Sequence, residues 1–198
     1  MLLILKERFG SEMAITIKHG VSGKKYTFQV KGLNKVLSNL NNAIKEYKDR
    51  TLVGVSRAAL FTRRKSLELT PEDTGNLKES CFVVWKGGTI GAGKSPNFVT
   101  GGERRATQKE VDELYRVHSK MLETAQGEYE NMTEIFAAVY YSAWYALFVH
   151  EIKKKHKGSE QWKFLETAVK QNRAEILKII ADSVKSKGGG FTSKAKSF

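Results

Sequence analysis

A chain of 198 residues with 40% hydrophobic and 28% charged residues carries enough apolar material for one hydrophobic core and reads as a soluble globular protein. Its single cysteine, Cys81, excludes an internal disulfide and a cysteine-built zinc cage. The net charge of +13 is carried by the two ends, +8 over residues 1–86 and +7 over 150–198 against −2 between them, which suits nucleic acid, acidic protein partners or plain solubility.

The run from Met1 to Leu5 is too short for a signal-peptide core and is followed by Lys6 and Glu7, so synthesis in the cytoplasm is expected. Residues 1–12 read as an N-terminal arm. Met13 to His19 and Tyr26 to Val30 alternate around the turn-like GVSGKK, which predicts a β-hairpin. After Gly32, apolar residues fall at Leu33, Leu37, Leu40, Ile44 and Tyr47 and continue through Leu52, Val55, Ala59 and Leu60, predicting a long amphipathic helix that stops near Leu69, ahead of Pro71.

Cys81 to Lys86 predicts a strand, and six glycines between Gly87 and Gly102 mark a loop. Thr107 to Gly127 has helical spacing, with Thr107 and Glu110 placed as a capping box. Glu134 to Tyr141 predicts a strand, whereas Tyr145 to Ile152 fits either a further strand or a short helix. The longest apolar stretch, Ile135 to Val149, falls short of the roughly 20 residues of a membrane-spanning helix, so no membrane partner is expected.

A last helix is predicted from an N-cap at Ser159, with apolar positions from Phe164 to Val184. It ends at Gly188 to Gly190, and residues 186–198 read as a flexible basic tail. The pattern is α+β: a small antiparallel sheet packed on one face by a long helix in the N-terminal half and a C-terminal helix, with residues 87–132 inserted as a loop and a helix. One domain is expected over residues 13–185.

Gly88 to Ser95 reads GTIGAGKS, a literal match to the phosphate-binding pattern G-x-x-x-x-G-K-[ST]. That chemistry needs a helix starting at the Gly-Lys-Ser to supply amide donors and dipole, and Pro96, Asn97, Gly101 and Gly102 leave room for about one turn. His150 and His156 are six apart, about 240° around a helix, so they do not form a zinc pair on one face. His19 and His118 have no partners at metal-ligand spacing, and Cys81 sits in an apolar strand as a core residue. No catalytic set, metal site or cofactor is expected.

Leu69 to Ser80 reads LTPEDTGNLKES. Pro71 ends a helix, Asp73 or Thr74 can bond the backbone two residues on, and Gly75 permits a positive φ. The segment resembles the Pro-x-Asp-Thr-Gly-x-Leu-x-x-Ser signature of the tail-completion, or head-to-tail joining, proteins of long-tailed bacteriophages, here Pro71, Asp73, Thr74, Gly75, Leu77 and Ser80. The resemblance extends to Gly32-Leu33 at the head of the long helix, to Tyr145, Ala146, Val149, His150 and Glu151, and to Phe164-Leu165 at the last helix. It departs from the family at HEIKKKH, where a Glu-x-Gly-Thr is usual, and in the large insertion at 87–132.

The resemblance implies a non-enzymatic neck protein that joins the DNA-filled head to the tail as a ring, a hexamer or alternatively a dodecamer. Its partners would be further copies, portal or adaptor proteins, and tail terminator or tail tube proteins, with DNA in the channel within reach of the basic termini. Tyr145, Val149, His150, Glu151, Phe164 and Leu165 would be subunit or partner contacts, in the virion and, during assembly, in the host cytoplasm. The alternatives are a basic nucleic-acid-binding module and a nucleotide-binding protein acting through Gly88 to Ser95.

Overall fold

The computed structural model describes residues 2–4, 8–9, 12–18, 25–30, 33–86, 95–102, 106–153 and 160–185, and the surroundings of side chains from Asn34 onward. Most of Gly88 to Ser95, His156 and the tail 186–198 therefore lie outside the described residues. The chain divides into two compact units, residues 1–47 and 48–198.

The first unit holds an antiparallel sheet of β1 (Leu2–Ile4), β2 (Arg8–Phe9), β3 (Glu12–Lys18) and β4 (Lys25–Val30), all joined through β3. The predicted hairpin is β3 and β4, with Met13 opposite Val30, Ile15 opposite Phe28 and Ile17 opposite Tyr26. This register puts the apolar alternation of the two strands in phase, which is what fixes a pairing against a one-residue slip. The first twelve residues, read as an arm, contain β1 and β2, which pair with β3 at Thr16–Lys18 and Glu12–Met13.

α1 (Leu33–Leu69) opens directly after Gly32 and ends ahead of Pro71 as its sequence predicts. The boundary between the two units falls within it, after Tyr47. At its end the Thr70 amide and hydroxyl both donate to the Ser66 carbonyl, at 2.9 and 2.7 Å, so the last turn closes on itself before proline removes the next donor.

The second unit is a small α+β domain around a two-stranded antiparallel sheet, β5 (Cys81–Trp85) and β6 (Ala137–Tyr141), with Cys81 opposite Tyr141 and Trp85 opposite Ala137. All five residues of β5 are buried. Phe82 and Val84 pack with Met121, Leu122, Ala125 and Tyr129 of α3 (Gln108–Glu130), while Val83 and Trp85 pack with Leu52, Ala59 and Leu60 of α1. Helices thus cover both faces of the sheet, and not one face as expected, because CFVVW presents apolar side chains to either side. The capping box of Thr107 and Glu110 is present at the start of α3.

Tyr145 to Ile152 resolves as a helix, α4 (Ala146–Glu151). The predicted terminal helix is two helices, α5 (Phe164–Gln171) and α6 (Arg173–Lys185), and it opens at Phe164, five residues after the predicted cap. Two backbone bonds keep the preceding residues out of the helix: Gln161 N–H to the Leu69 carbonyl at 3.0 Å and Lys163 N–H to the His150 carbonyl at 2.7 Å. Lys163 takes φ 54° there. Asn172 divides α5 from α6 by turning its side-chain amide back to the Ala168 carbonyl at 2.8 Å. α6 lies so close to α1 that a Cβ on Gly54 would stand 3.1 Å from Ile180 Cα and Ser183 Cβ.

Candidate interaction surface

The segment after α1 is built by local chemistry. Pro71 bars further helix, the Asn76 amide donates to Thr74 Oγ1 at 3.2 Å, and Gly75 takes φ 84°. One turn of helix that the sequence did not announce follows, α2 (Asn76–Glu79), and Ser80 closes it by donating its hydroxyl to the Leu77 carbonyl at 2.7 Å. The Ser80 carbonyl then accepts from the Ser142 amide at 3.0 Å and the Ser142 hydroxyl at 3.2 Å, which fastens the end of β6 to the start of β5.

Three side chains strap the coil 96–99 over this turn. Asn76 bonds the Val99 carbonyl and amide, Glu79 accepts from the Asn97 amide at 3.0 Å, and the Tyr115 hydroxyl accepts from the Phe98 amide at 3.1 Å. Phe98 is thereby pressed into a core with Leu77, Val111, Leu114, Ala143, Ala146 and Phe164. Among the described residues 95–102, 106 and 107 there is no helix, so the phosphate-binding reading of Gly88 to Ser95 has no helix N-terminus among them.

The signature turn and the Tyr145 segment meet. Pro71, Asp73, Thr74, Gly75 and Leu77 share with Tyr145 and Val149 the wall of a pocket of about 310 Å³, with Trp144, Leu114 and Ala106. Four carboxylates, Glu72, Asp73, Glu110 and Glu160, also line it, and among the described residues no Lys, Arg or His does. Each has a structural bond where one is described: Glu72 accepts from Lys78 at 2.5 Å, Glu160 from the Glu72 amide at 3.2 Å, and Glu110 from the Thr107 amide at 2.7 Å, which holds its carboxyl below the usual range.

The remaining residues of the motif serve packing. Leu77 and Phe164 are buried in the same core, against which Tyr145, Val149 and Leu165 are packed. The His150 ring stands edge-on to Phe164 at 4.8 Å and holds Glu151 at 2.7 Å through Nδ1. Only Glu151 of this group is exposed, and neither Phe164, Leu165, His150 nor Glu151 lines the pocket.

The exposed residues are the ones between. Trp144, Leu147, Phe148 and Ile152 are 59, 68, 59 and 58% exposed. In Tyr-Ala-x-x-Val, the named positions turn inward and the two unspecified ones, Leu147 and Phe148, turn outward. The sequence signal was present, since α4 is apolar on every side, yet only a helix assignment separates its two faces.

His118 and Ser142 form a buried pair, Nδ1 to Oγ at 2.7 Å, but the serine proton is committed to the Ser80 carbonyl and the pair does not line the pocket. Cys81 is fully buried, and loss of solvent pushes its thiol up to about 11. Among the described residues no three His, Cys, Asp or Glu side chains are grouped to hold a metal ion, and no helix is long and apolar enough to cross a membrane. No family model, no curated protein and no solved structure matches the chain.

Proposed function

We propose that this is a non-enzymatic assembly protein, a subunit of a ring, most simply a hexamer, that joins the DNA-filled head of a long-tailed bacteriophage to its tail. The observation that carries the reading is the face of Trp144, Leu147, Phe148 and Ile152 beside the pocket of the signature turn. Four large apolar side chains within nine residues, each more than half exposed, form the kind of patch that soluble proteins reserve for a partner. The likeness of LTPEDTGNLKES and of the Tyr145 segment to the tail-completion signature supports the same reading and names the assembly.

On this reading α4 and the turn meet a neighbouring subunit or a tail protein. A partner segment seated at the pocket would bring an apolar side chain to Trp144 and basic groups to the carboxylates of the rim.

The test is electron microscopy of particles assembled with the double variant Leu147→Ser, Phe148→Ser. The expected product is DNA-filled heads and free tails, unjoined. Normal tailed particles at wild-type yield would overturn the proposal.

A further inference from the structure

β5 and β6 are covered by the same two helices, α1 on one face and α3 on the other, yet they differ in exposure. The residues of β5 are 0–7% exposed, whereas all five of β6 are partly exposed. The faces of β6 are held. The Tyr140 hydroxyl bonds that of Tyr129 on α3 at 2.8 Å, and the Tyr141 hydroxyl bonds Ser66 and Thr70 on α1. What lies open is its outer edge.

The ladder shows which groups stand on that edge. The Ser142 amide donates to the Ser80 carbonyl in register with the sheet, and bonded pairs alternate along an antiparallel ladder, so Ala138 and Tyr140 turn their backbone groups toward β5. Ala137, Val139 and Tyr141 direct amide and carbonyl the other way. The same alternation turns the Cys81 carbonyl outward from β5, where Arg63 Nε donates to it at 3.0 Å. Among the described residues nothing bonds the outward groups of Ala137, Val139 or Tyr141.

An open edge is a template for a further strand, and proteins guard such edges with lysine, proline or a bulge. β4, the outer strand of the first unit, opens with Lys25. β6 reads Ala-Ala-Val-Tyr-Tyr and has no charge, proline or glycine.

The strand that fits this edge is β6 itself. About a two-fold axis normal to the sheet, Val139 comes opposite Val139 and Ala137 opposite Tyr141, so each outward amide meets an outward carbonyl. A slip of one residue would set outward groups against inward ones, and a slip of two would strand one end. The nearest charged residue, Glu134, does not meet its own copy in the centred register. This symmetry also keeps both copies of α1 on one face of the joined sheet and both copies of α3 on the other. Each copy brings two strands, about 10 Å of sheet, and one helix to each face, and packed helices also stand about 10 Å apart.

We infer that β6 is a self-pairing edge that joins two copies of this chain through one antiparallel sheet, in the order β5, β6, β6, β5. A two-fold contact closes after two copies and cannot by itself build a ring. The inference therefore goes beyond the neck proposal and does not depend on it.

The test uses the purified full chain. An edge of five residues buries little area, so the pair should be weak, with a dissociation constant on the order of tens of micromolar. Sedimentation equilibrium on either side of that concentration should show monomer passing to dimer. Over the same range, hydrogen exchange at the amides of Ala137, Val139 and Tyr141 should slow in step with the dimer fraction, while Ala138 and Tyr140, already bonded to β5, stay protected throughout. Ala137→Pro removes one outward donor at the first residue of an edge strand, where proline is tolerated, and should weaken the dimer about tenfold or more. A chain that stays monomeric would overturn the inference. So would a dimer in which the three outward amides exchange as fast as in the monomer, a result that would leave the ring proposal standing on the α4 face. Should Ala137→Pro fail to fold, the exchange of the wild-type amides decides the matter.

Discussion

The side-chain amide of Asn76 pairs with the backbone of Val99 in both directions, donating from Nδ2 to the carbonyl and accepting at Oδ1 from the amide, each at 2.8 Å. Asn76 is 2% exposed, so it works as a one-residue strand that ties the coil 96–99 to the signature turn. Asn76→Ala leaves two backbone groups without their partner, and at about 1 kcal/mol per hydrogen bond the loss should be about 2 kcal/mol. Thermal melting should fall by about 4–8 °C for a chain of this size. Hydrogen exchange should speed up at Val99 with no change at β5.

Gly75 and Gly102 both hold positive φ, 84° and 79°, for different reasons. A Cβ at Gly75 meets no atom within 4 Å, so Gly75→Val should lose only the backbone penalty of a β-branched residue, about 1–3 kcal/mol, and Gly75→Asn should recover most of it. At Gly102 a Cβ would fall 2.5 Å from Thr74 Cγ2 and 2.7 Å from Asp73 Oδ1. Gly102→Ala should therefore melt lower than Gly75→Ala. Equal melting temperatures would show that the turn yields to remove the clash.

Gly54 sets the approach of α6 to α1. Alanine in a helix interior is normally favoured over glycine by about 1 kcal/mol, but the atoms 3.1 Å from the new Cβ include the Ile180 backbone, which cannot move without the whole helix. Gly54→Leu should displace α6 and lower stability by about 1–3 kcal/mol, measured by urea unfolding. A variant as stable as wild type would show that α6 slides freely on α1.

Cys81 should behave as a core residue. With its thiol raised to about 11 by burial, it should resist iodoacetamide at pH 8 in the folded chain and react once the chain is unfolded. The linkage has a definite sign. Unfolded, the thiol ionises near 9.0; folded, it keeps its proton to about 11, so the folded state binds more protons in that window and loses stability as pH rises. The slope from this group approaches about 1.4 kcal/mol per pH unit above pH 9, and Cys81→Ala should remove it.

Much of the architecture was legible because it depends on neighbours along the chain. The limits of α1 follow from Gly32 and Pro71, the start of α3 from Thr107 and Glu110, the hairpin from its alternation, and the positive φ of Gly75 from its place in a turn. The hairpin rests on in-phase alternation of two neighbouring strands, and the others are fixed by backbone sterics or by hydrogen bonds within four residues, which a sequence displays directly.

What tertiary structure decided involves partners far apart in the chain. The opening of α5 at Phe164 depends on the carbonyls of Leu69 and His150, and the covering of β5 on both faces depends on α1 and α3 arriving from opposite sides. The same holds for the candidate site. Sequence selected Tyr145, Val149, Phe164 and Leu165, of which Phe164 is buried in a core and the other three pack against it, while the outward residues Trp144, Leu147, Phe148 and Ile152 carry the exposed face. An apolar segment shows its hydrophobicity in the sequence, but which side meets water is settled only when the rest of the chain packs against the other.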